Sequence, residues 1–154
     1  MSMKKFMKFI GYGFLILLGL IVIGKICGKI SDGDRVGTPK ISEKEYLTST
    51  ESGPLDYRKG TLGQYAKGKL LIFKGKIDQI IGDKGAMIST KPDEQFDYAG
   101  NQALLAFDSK PQLLENDVVL IKGMYIGPKK YTTVMGAKRE VPLIQVDYYK
   151  IWQK

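Results

Sequence analysis

The stretch Phe9 to Ile23, FIGYGFLILLGLIVI, carries no charge and no strong polar group. Lys4, Lys5 and Lys8 precede it, and Gly24 and Lys25 follow. A helix that is apolar all round must be buried in a large protein or in lipid, and this chain has 154 residues. As a helix the run spans roughly 23–24 Å, short of a hydrocarbon core of about 30 Å. Lys8 and Lys25 close the gap by laying their methylenes through the interface and their ammonium groups in headgroup water. The expectation is a membrane anchor over Phe9 to Ile26, with the lipid bilayer as its partner.

Two alternatives stay open. A cleaved secretory signal needs small residues after the apolar run, and Gly24-Lys25-Ile26-Cys27-Gly28 sets Lys25 in their place. A lipid-modified Cys27 would need a small residue where Ile26 stands. For an uncleaved anchor, positive flanks stay cytoplasmic. Lys4, Lys5 and Lys8 lie ahead of the run; Lys25, Lys29 and Arg35 lie behind it, offset by Asp32 and Asp34. The expected arrangement is a single-pass protein of the cell membrane, amino terminus inside and C-terminal domain extracytoplasmic.

The formal charge of +8 divides unevenly. Five of the 24 basic residues, Lys4, Lys5, Lys8, Lys25 and Lys29, flank the anchor. That leaves 19 against all 16 acidic residues, so the rest of the chain is only mildly basic. Its excess gathers between Lys122 and Lys154, where seven basic residues face Glu140 and Asp147. The single cysteine excludes an intrachain disulfide. The absence of histidine removes the commonest general base and metal ligand.

The chain divides into a basic tail (1–8), the anchor (9–26), a linker (27–56) and one small domain (57–154). Ser31 to Pro39, SDGDRVGTP, is linker-like. Ser42-Glu43-Lys44-Glu45 fits a capping box and leaves room for a short helix over Ile41 to Ser49. From Lys69 the period becomes two: Leu71, Phe73, Ile77 and Ile81 share one face, while Lys74, Lys76 and Asp78 share the other. Gly75 interrupts this first strand on the apolar parity and predicts a bend or bulge. Further strands are expected over Ala86 to Thr90, Ala103 to Asp108, Val118 to Ile126 and Val141 to Trp152. Turns are expected at Gly82 to Gly85, Gly127 to Lys130 and Gly136 to Glu140, with a small hairpin over Tyr131 to Met135. Lys91 to Gln102 reads as a polar loop, and Ser109 to Asp117 has room for one helical turn. In the last strand, alternation sends Ile144, Val146 and Tyr148 to one face and Tyr149 and Ile151 to the other; both carry apolar bulk, with Tyr57 to Tyr65 as the expected cover and the N-terminal segment or a partner as the alternatives. The fold class is mainly β: an N-terminal transmembrane helix followed by a small five-stranded barrel.

Several motifs resemble the tRNA-anticodon-binding-like OB-fold proteins of Gram-positive bacteria. They are Tyr65-Ala66-Lys67-Gly68-Lys69, Gly75-Lys76-Ile77, Asp117-Val118-Val119, Gly123, Tyr131-Thr132-Thr133, Gly136 and Pro142. The likeness covers roughly Tyr57 to Ile151 and departs at Asn116, where the family tends to have glycine. It implies an OB barrel, and many members are membrane-anchored. The motifs are turn and bend residues, so they speak to fold and hardly to function.

OB barrels often bind single strands with aromatic platforms and a basic groove. The ligand-binding candidates are Lys74, Lys76, Tyr125, Lys129, Lys130, Tyr131, Lys138 and Arg139. Against this, Lys129, Lys130, Lys138 and Arg139 fit ordinary solvated turn positions, and both tyrosines fit packing on the barrel. Asp93, Glu94 and Asp97 lack the spacing of a calcium loop and read as a solvated loop, so no metal site is expected. No catalytic residues and no cofactor are expected: no nucleophile–base pair and no phosphate loop is present. The leading expectation is a membrane-anchored, non-enzymatic binding module that binds or blocks an envelope component, such as another membrane protein. Two alternatives stand beside it. One is a prophage- or plasmid-encoded superinfection-exclusion protein that stops DNA injection. The other is a membrane-tethered binder of single-stranded nucleic acid.

Overall fold

A computed structural model describes residues 40–49, 52–132 and 135–153. The expected anchor, its basic tail and the linker up to residue 39 lie outside the described residues. Among the described residues no helix is long and apolar enough to cross a membrane.

The expected short helix forms as α1 (Glu43–Thr48). The Glu45 carboxylate reaches back to accept hydrogen bonds from the Ser42 N–H at 2.9 Å and hydroxyl at 2.8 Å. A second helix, α2 (Tyr57–Thr61), is started by Asp56, whose side chain accepts the Lys59 N–H at 3.1 Å. The strands are β1 (Leu70–Ile81), β2 (Gly85–Ser89), β3 (Pro92–Asp93), β4 (Asp97–Tyr98), β5 (Gln102–Phe107), β6 (Val118–Thr132) and β7 (Lys138–Gln153). Five of them close into a barrel in the order β1-β2-β5-β7-β6; β3 and β4 form a separate two-stranded hairpin. This is the five-stranded OB-like architecture expected of the domain.

The long first strand serves both sides of the barrel. Leu70 to Lys76 pairs with β6, and Lys76 to Ile81 pairs with β2. The bulge lies at Asp78, between Ile77 and Gln79, three residues beyond the glycine expected to mark it. Gly75 serves a different need, because a Cβ there would stand 2.5 Å from the Ser89 carbonyl oxygen. Gly123 does the same on β6, where a Cβ would meet the Gln145 carbonyl oxygen at 2.6 Å. Both glycines let backbones approach where the barrel is tight. The outer edge of early β1 is partly covered by Gly53, which donates to the Leu70 carbonyl and accepts from the Ile72 N–H.

The core inside the barrel is built from alternate residues of the five barrel strands, including Leu71, Phe73, Ile77, Ile88, Leu105, Ile121 and Ile144. A second apolar cluster of Ile81, Met87, Leu104, Ala106, Val141 and Leu143 is joined by half-buried Ile126 and Tyr131. A third forms where α1 seats Tyr46 against Leu70 and Met124, with Ile72 and Tyr148 beside it.

Four expectations are corrected. Gly127-Pro128 is not a turn: β6 runs through it to Thr132, and the chain reverses only beyond. The two strands slip register between Tyr125 and Gly127, and Pro128 faces Pro142 across the ladder. Neither proline can donate, so the strands tolerate them where they bulge and leave the barrel. Lys138, Arg139 and Glu140 accordingly belong to β7 rather than to a turn. Ser109 to Asp117 forms no helix; Leu113 fills the core instead, and Asp117 accepts the Leu114 N–H at 2.9 Å. Finally, Lys122 pairs with Tyr148 while Gly123 pairs with Val146, so Asp147 is a bulged residue. One extra residue flips the parity. Tyr149 and Ile151 therefore join Ile144 and Val146 against the barrel core, and Tyr148 turns outward under α1 rather than under Tyr57 to Tyr65.

Candidate functional site

The eight candidate residues separate into three places. Lys129, Lys130, Tyr131, Lys138 and Arg139 come together on the far part of the β6–β7 hairpin. Its register sets Lys129 opposite Val141, Lys130 opposite Glu140, Tyr131 opposite Arg139 and Thr132 opposite Lys138. Lys130, Lys138 and Arg139 are exposed; Lys129 and Tyr131 are half-buried. Gly127, at φ 149°, lets the strand change direction as this arm leaves the barrel. The inner end of the arm rests on α2, where a Cβ on Gly60 would stand 2.9 Å from Pro142.

Tyr131 packs against the cluster that contains Val141 and Leu143. Burial pushes its phenol above the usual tyrosine range, the facing Arg139 pulls it back, and Tyr57 adds to the rise. Two adjoining strands thus set Lys129 and Arg139 on the face of one half-shielded ring, and Lys130 and Lys138, with Glu140, on the other face. The arrangement can pair with a flexible polyanion and offer it one aromatic surface.

Lys74 and Lys76 lie elsewhere, on the outer face of β1. The Lys74 ammonium sits 3.3 Å from the centroid of the Trp152 ring. Lys76 donates to the Phe96 carbonyl at 2.6 Å and lies 5.6 Å from that ring's centroid. Along β6 the row of Lys74, opposite Leu120, is separated from Lys130 by ten residues. Ten residues of strand reach up to about 33 Å. The two cationic places are therefore distinct.

Tyr125 belongs to neither. It is 1% exposed and points into the barrel. Its hydroxyl donates to the Gly60 carbonyl, and its ring meets Tyr65 edge-on at 5.4 Å between centroids. Burial first, then Glu140 and Tyr65, hold its phenol above the usual range. The ring locks α2 onto the barrel end and is not presented to a ligand.

Trp152 is absent from the expected binding residues, yet it is 57% exposed. The sequence carries a signal for it: Tyr148, Lys150 and Trp152 alternate on one parity of the last strand. The acidic segment is exposed, but part of it pairs as the β3–β4 hairpin rather than forming an irregular loop. Asp93 accepts the N–H groups of Gln95 and Phe96, and Asp93, Glu94 and Asp97 are all exposed. Among the described residues no group of three or more His, Cys, Asp or Glu side chains is placed to hold a metal ion.

No protein-family model matches the chain. No curated protein matches it either. Among solved structures, it is similar to the mitochondrial single-stranded DNA binding protein Rim1 from S. cerevisiae. The selenomethionine-labelled crystal structure gives a TM-score of 0.39 at 12% identity, covering 58% of this chain and 99% of that one. The unlabelled structure gives 0.40 at 10% identity, with the same coverage. The likeness is weak, and the OB-like assignment rests on the strand order and closure of the barrel itself.

Proposed function

We propose that this protein is a non-enzymatic OB-type binding module, tethered to a membrane through residues 9–26, that takes single-stranded nucleic acid on its β6–β7 arm. The observation supporting the reading is a two-stranded ribbon with Lys129 and Arg139 beside Tyr131 on one face and Lys130 and Lys138 on the other. A cationic ribbon can follow a phosphate backbone while an aromatic ring offers bases a stacking surface. A chain without histidine, and without a nucleophile–base pair, supports a module that binds without reacting.

The test is fluorescence anisotropy of a labelled oligothymidylate with the full chain in nanodiscs of neutral lipid. If four cations neutralise phosphates, log K should fall with log salt at a slope of about −2.8, a loss of roughly 50-fold between 50 and 200 mM salt. Replacing Lys129, Lys130, Lys138 and Arg139 together by Ala should flatten that dependence and weaken binding by a similar factor. Binding that ignores salt, or that survives the fourfold replacement, rules the reading out.

A second reading is favoured by Lys4, Lys5 and Lys8 ahead of the apolar run. They favour a barrel at the outer face of the cytoplasmic membrane. There it would bind or block an envelope component, including the passage of incoming phage DNA. A tag after Lys154 that added protease removes from intact protoplasts supports the outer location; a tag that survives until lysis supports the inner one.

A further inference from the structure

The outer face of β1, β6 and β7 carries an aromatic–cation patch that the arm does not use. Cross-strand pairing places Lys74, Leu120 and Lys150 side by side, with Trp152 next along β7. Trp152 is 57% exposed, and the Lys74 ammonium covers one face of its ring at 3.3 Å from the centroid. Lys150 is exposed. Among the described residues of the neighbouring elements, Glu43 and Asp78 are engaged elsewhere. Glu43 pairs with Lys122 at 2.6 Å, and Asp78 accepts from Ser89 at 2.6 Å and Gln102 at 2.9 Å. The patch therefore presents a cationic excess around one amphipathic ring.

The chain also enters the barrel on this face. Lys40, where the described chain begins, lies with its ammonium 4.5 Å from the centroid of the Tyr148 ring. Tyr148 points outward two residues before Lys150, and α1 pins the entry by burying Tyr46, whose hydroxyl donates to Asp147 at 2.6 Å. Only 17 residue steps separate Ile23, the end of the apolar run, from Lys40. An unconstrained chain of that many residues spans roughly 20–25 Å root-mean-square. A domain of this size has a radius of gyration of about 13 Å, so the tether is shorter than the barrel is wide. The face at which the tether arrives is held nearest the bilayer.

We propose that the outer face of β1, β6 and β7, through Trp152, Lys74 and Lys150, docks on the anionic phospholipid headgroups of the membrane that holds the tether. Tryptophan favours the membrane–water interface, where its ring is half in apolar surroundings and its N–H stays wet. Lysines beside it are drawn to the negative surface potential. Tethering makes the contact intramolecular in effect, so a small patch suffices. The arm, at the other end of the same hairpin, is then left clear of the lipid. The inference rests on the reading of residues 9–26 as a membrane tether.

Trp152 is the chain's one tryptophan, so its emission reports on this patch alone. The full chain is mixed with vesicles of phosphatidylcholine, or of phosphatidylcholine with phosphatidylglycerol, each with and without brominated acyl chains. Flotation reports the tether, and quenching by bromine reports the docking. The expected result is flotation with both vesicles, with Trp152 blue-shifted and bromine-quenched only where phosphatidylglycerol is present. Both changes should vanish in the double variant Lys74→Gln, Lys150→Gln, which still floats. Flotation with Trp152 left open to aqueous iodide in phosphatidylglycerol vesicles overturns the docking and leaves the tether standing. Flotation only with phosphatidylglycerol, with bromine quenching, upholds the docking and removes the tether. No flotation with either vesicle overturns both. Protection of Trp152 by an oligothymidylate and not by lipid also overturns the docking and assigns the patch to nucleic acid.

Discussion

At the scale of single residues, Gly75 and Gly123 decide whether the barrel can close. A methyl group at Gly75 would also stand 2.7 Å from the Ile88 Cγ1, and one at Gly123 would stand 2.7 Å from the Ile144 Cγ2. The nearest atoms are backbone oxygens, which cannot swing away as a side-chain tip can. Gly75→Ala and Gly123→Ala should each cost about 1–3 kcal/mol. Urea denaturation should show a lower midpoint at an unchanged slope. Gly53 is the contrast: a Cβ there meets nothing within 4 Å. The sequence marks Gly75 as special and suggests a bend. That it serves as a close approach cannot be read there, because the obstructing Ser89 oxygen belongs to another strand. Asn116 is a similar case. It departs from the glycine of the family it resembles, yet its φ of 74° is one that asparagine tolerates better than most residues. The two shielded phenols, one buried and one half-buried, make a pH prediction. Tyr125 and Tyr131 both hold their protons more tightly in the folded chain than in the unfolded one. Their contribution to stability is complete below the unfolded value near pH 10 and is lost as pH rises through the raised folded values. Ultraviolet titration should find two late-ionising tyrosines, with stability declining from about pH 10 upward. Titration of all tyrosines together near the ordinary value, with the fold intact, contradicts this.

At the scale of elements, the hairpin of β6 and β7 shows where reading by alternation succeeds and where it stops. Alternation finds β1 because Leu71, Phe73 and Ile77 stay on one face through seven residues. It fails on β7 because a bulge at Asp147 reverses the inside and outside positions in mid-strand. The bulge has a local cause that no window on β7 contains. Asp147 turns toward the Tyr46 hydroxyl of α1, 101 residues earlier. The arm escapes a sequence reading for a related reason. Gly127-Pro128-Lys129-Lys130 has the composition of a turn, but the partner strand supplies Pro142 and Val141 opposite and carries the pairing onward. The cluster of Lys129, Lys130, Lys138 and Arg139 is thus legible as a group while its shape is not: it is a paired ribbon rather than two turns. The split of Lys74 and Lys76 from that group is equally out of reach, since it depends on how far β6 runs before it reverses.

At the scale of the whole molecule, the placement of α1 determines what is tied to what. It covers Leu70, Met124 and Tyr148 and buries Tyr46 completely. It also pairs Glu43 with Lys122, whose side chain is only 11% exposed. The helix is therefore part of the domain, although in sequence it reads as the end of a linker. Its six residues would be marginal alone, and helices this short persist through packing. This separates two truncations that look alike on paper. A chain beginning at Lys40 keeps α1 and every contact described above, so it should unfold in urea within about 1 kcal/mol of the full chain. A chain beginning at Ser52 exposes the surface that Tyr46 covers and strands Asp147 without its phenol partner. Loss of a fully buried aromatic side chain costs about 3–5 kcal/mol, a large part of the roughly 5–15 kcal/mol that holds a typical domain together. The second truncation should melt far earlier or fail to fold, while the first should not. If both unfold alike, α1 is only a passenger on the barrel. The rigid entry at Lys40, on which the orientation of the barrel over the membrane depends, would then be lost with it.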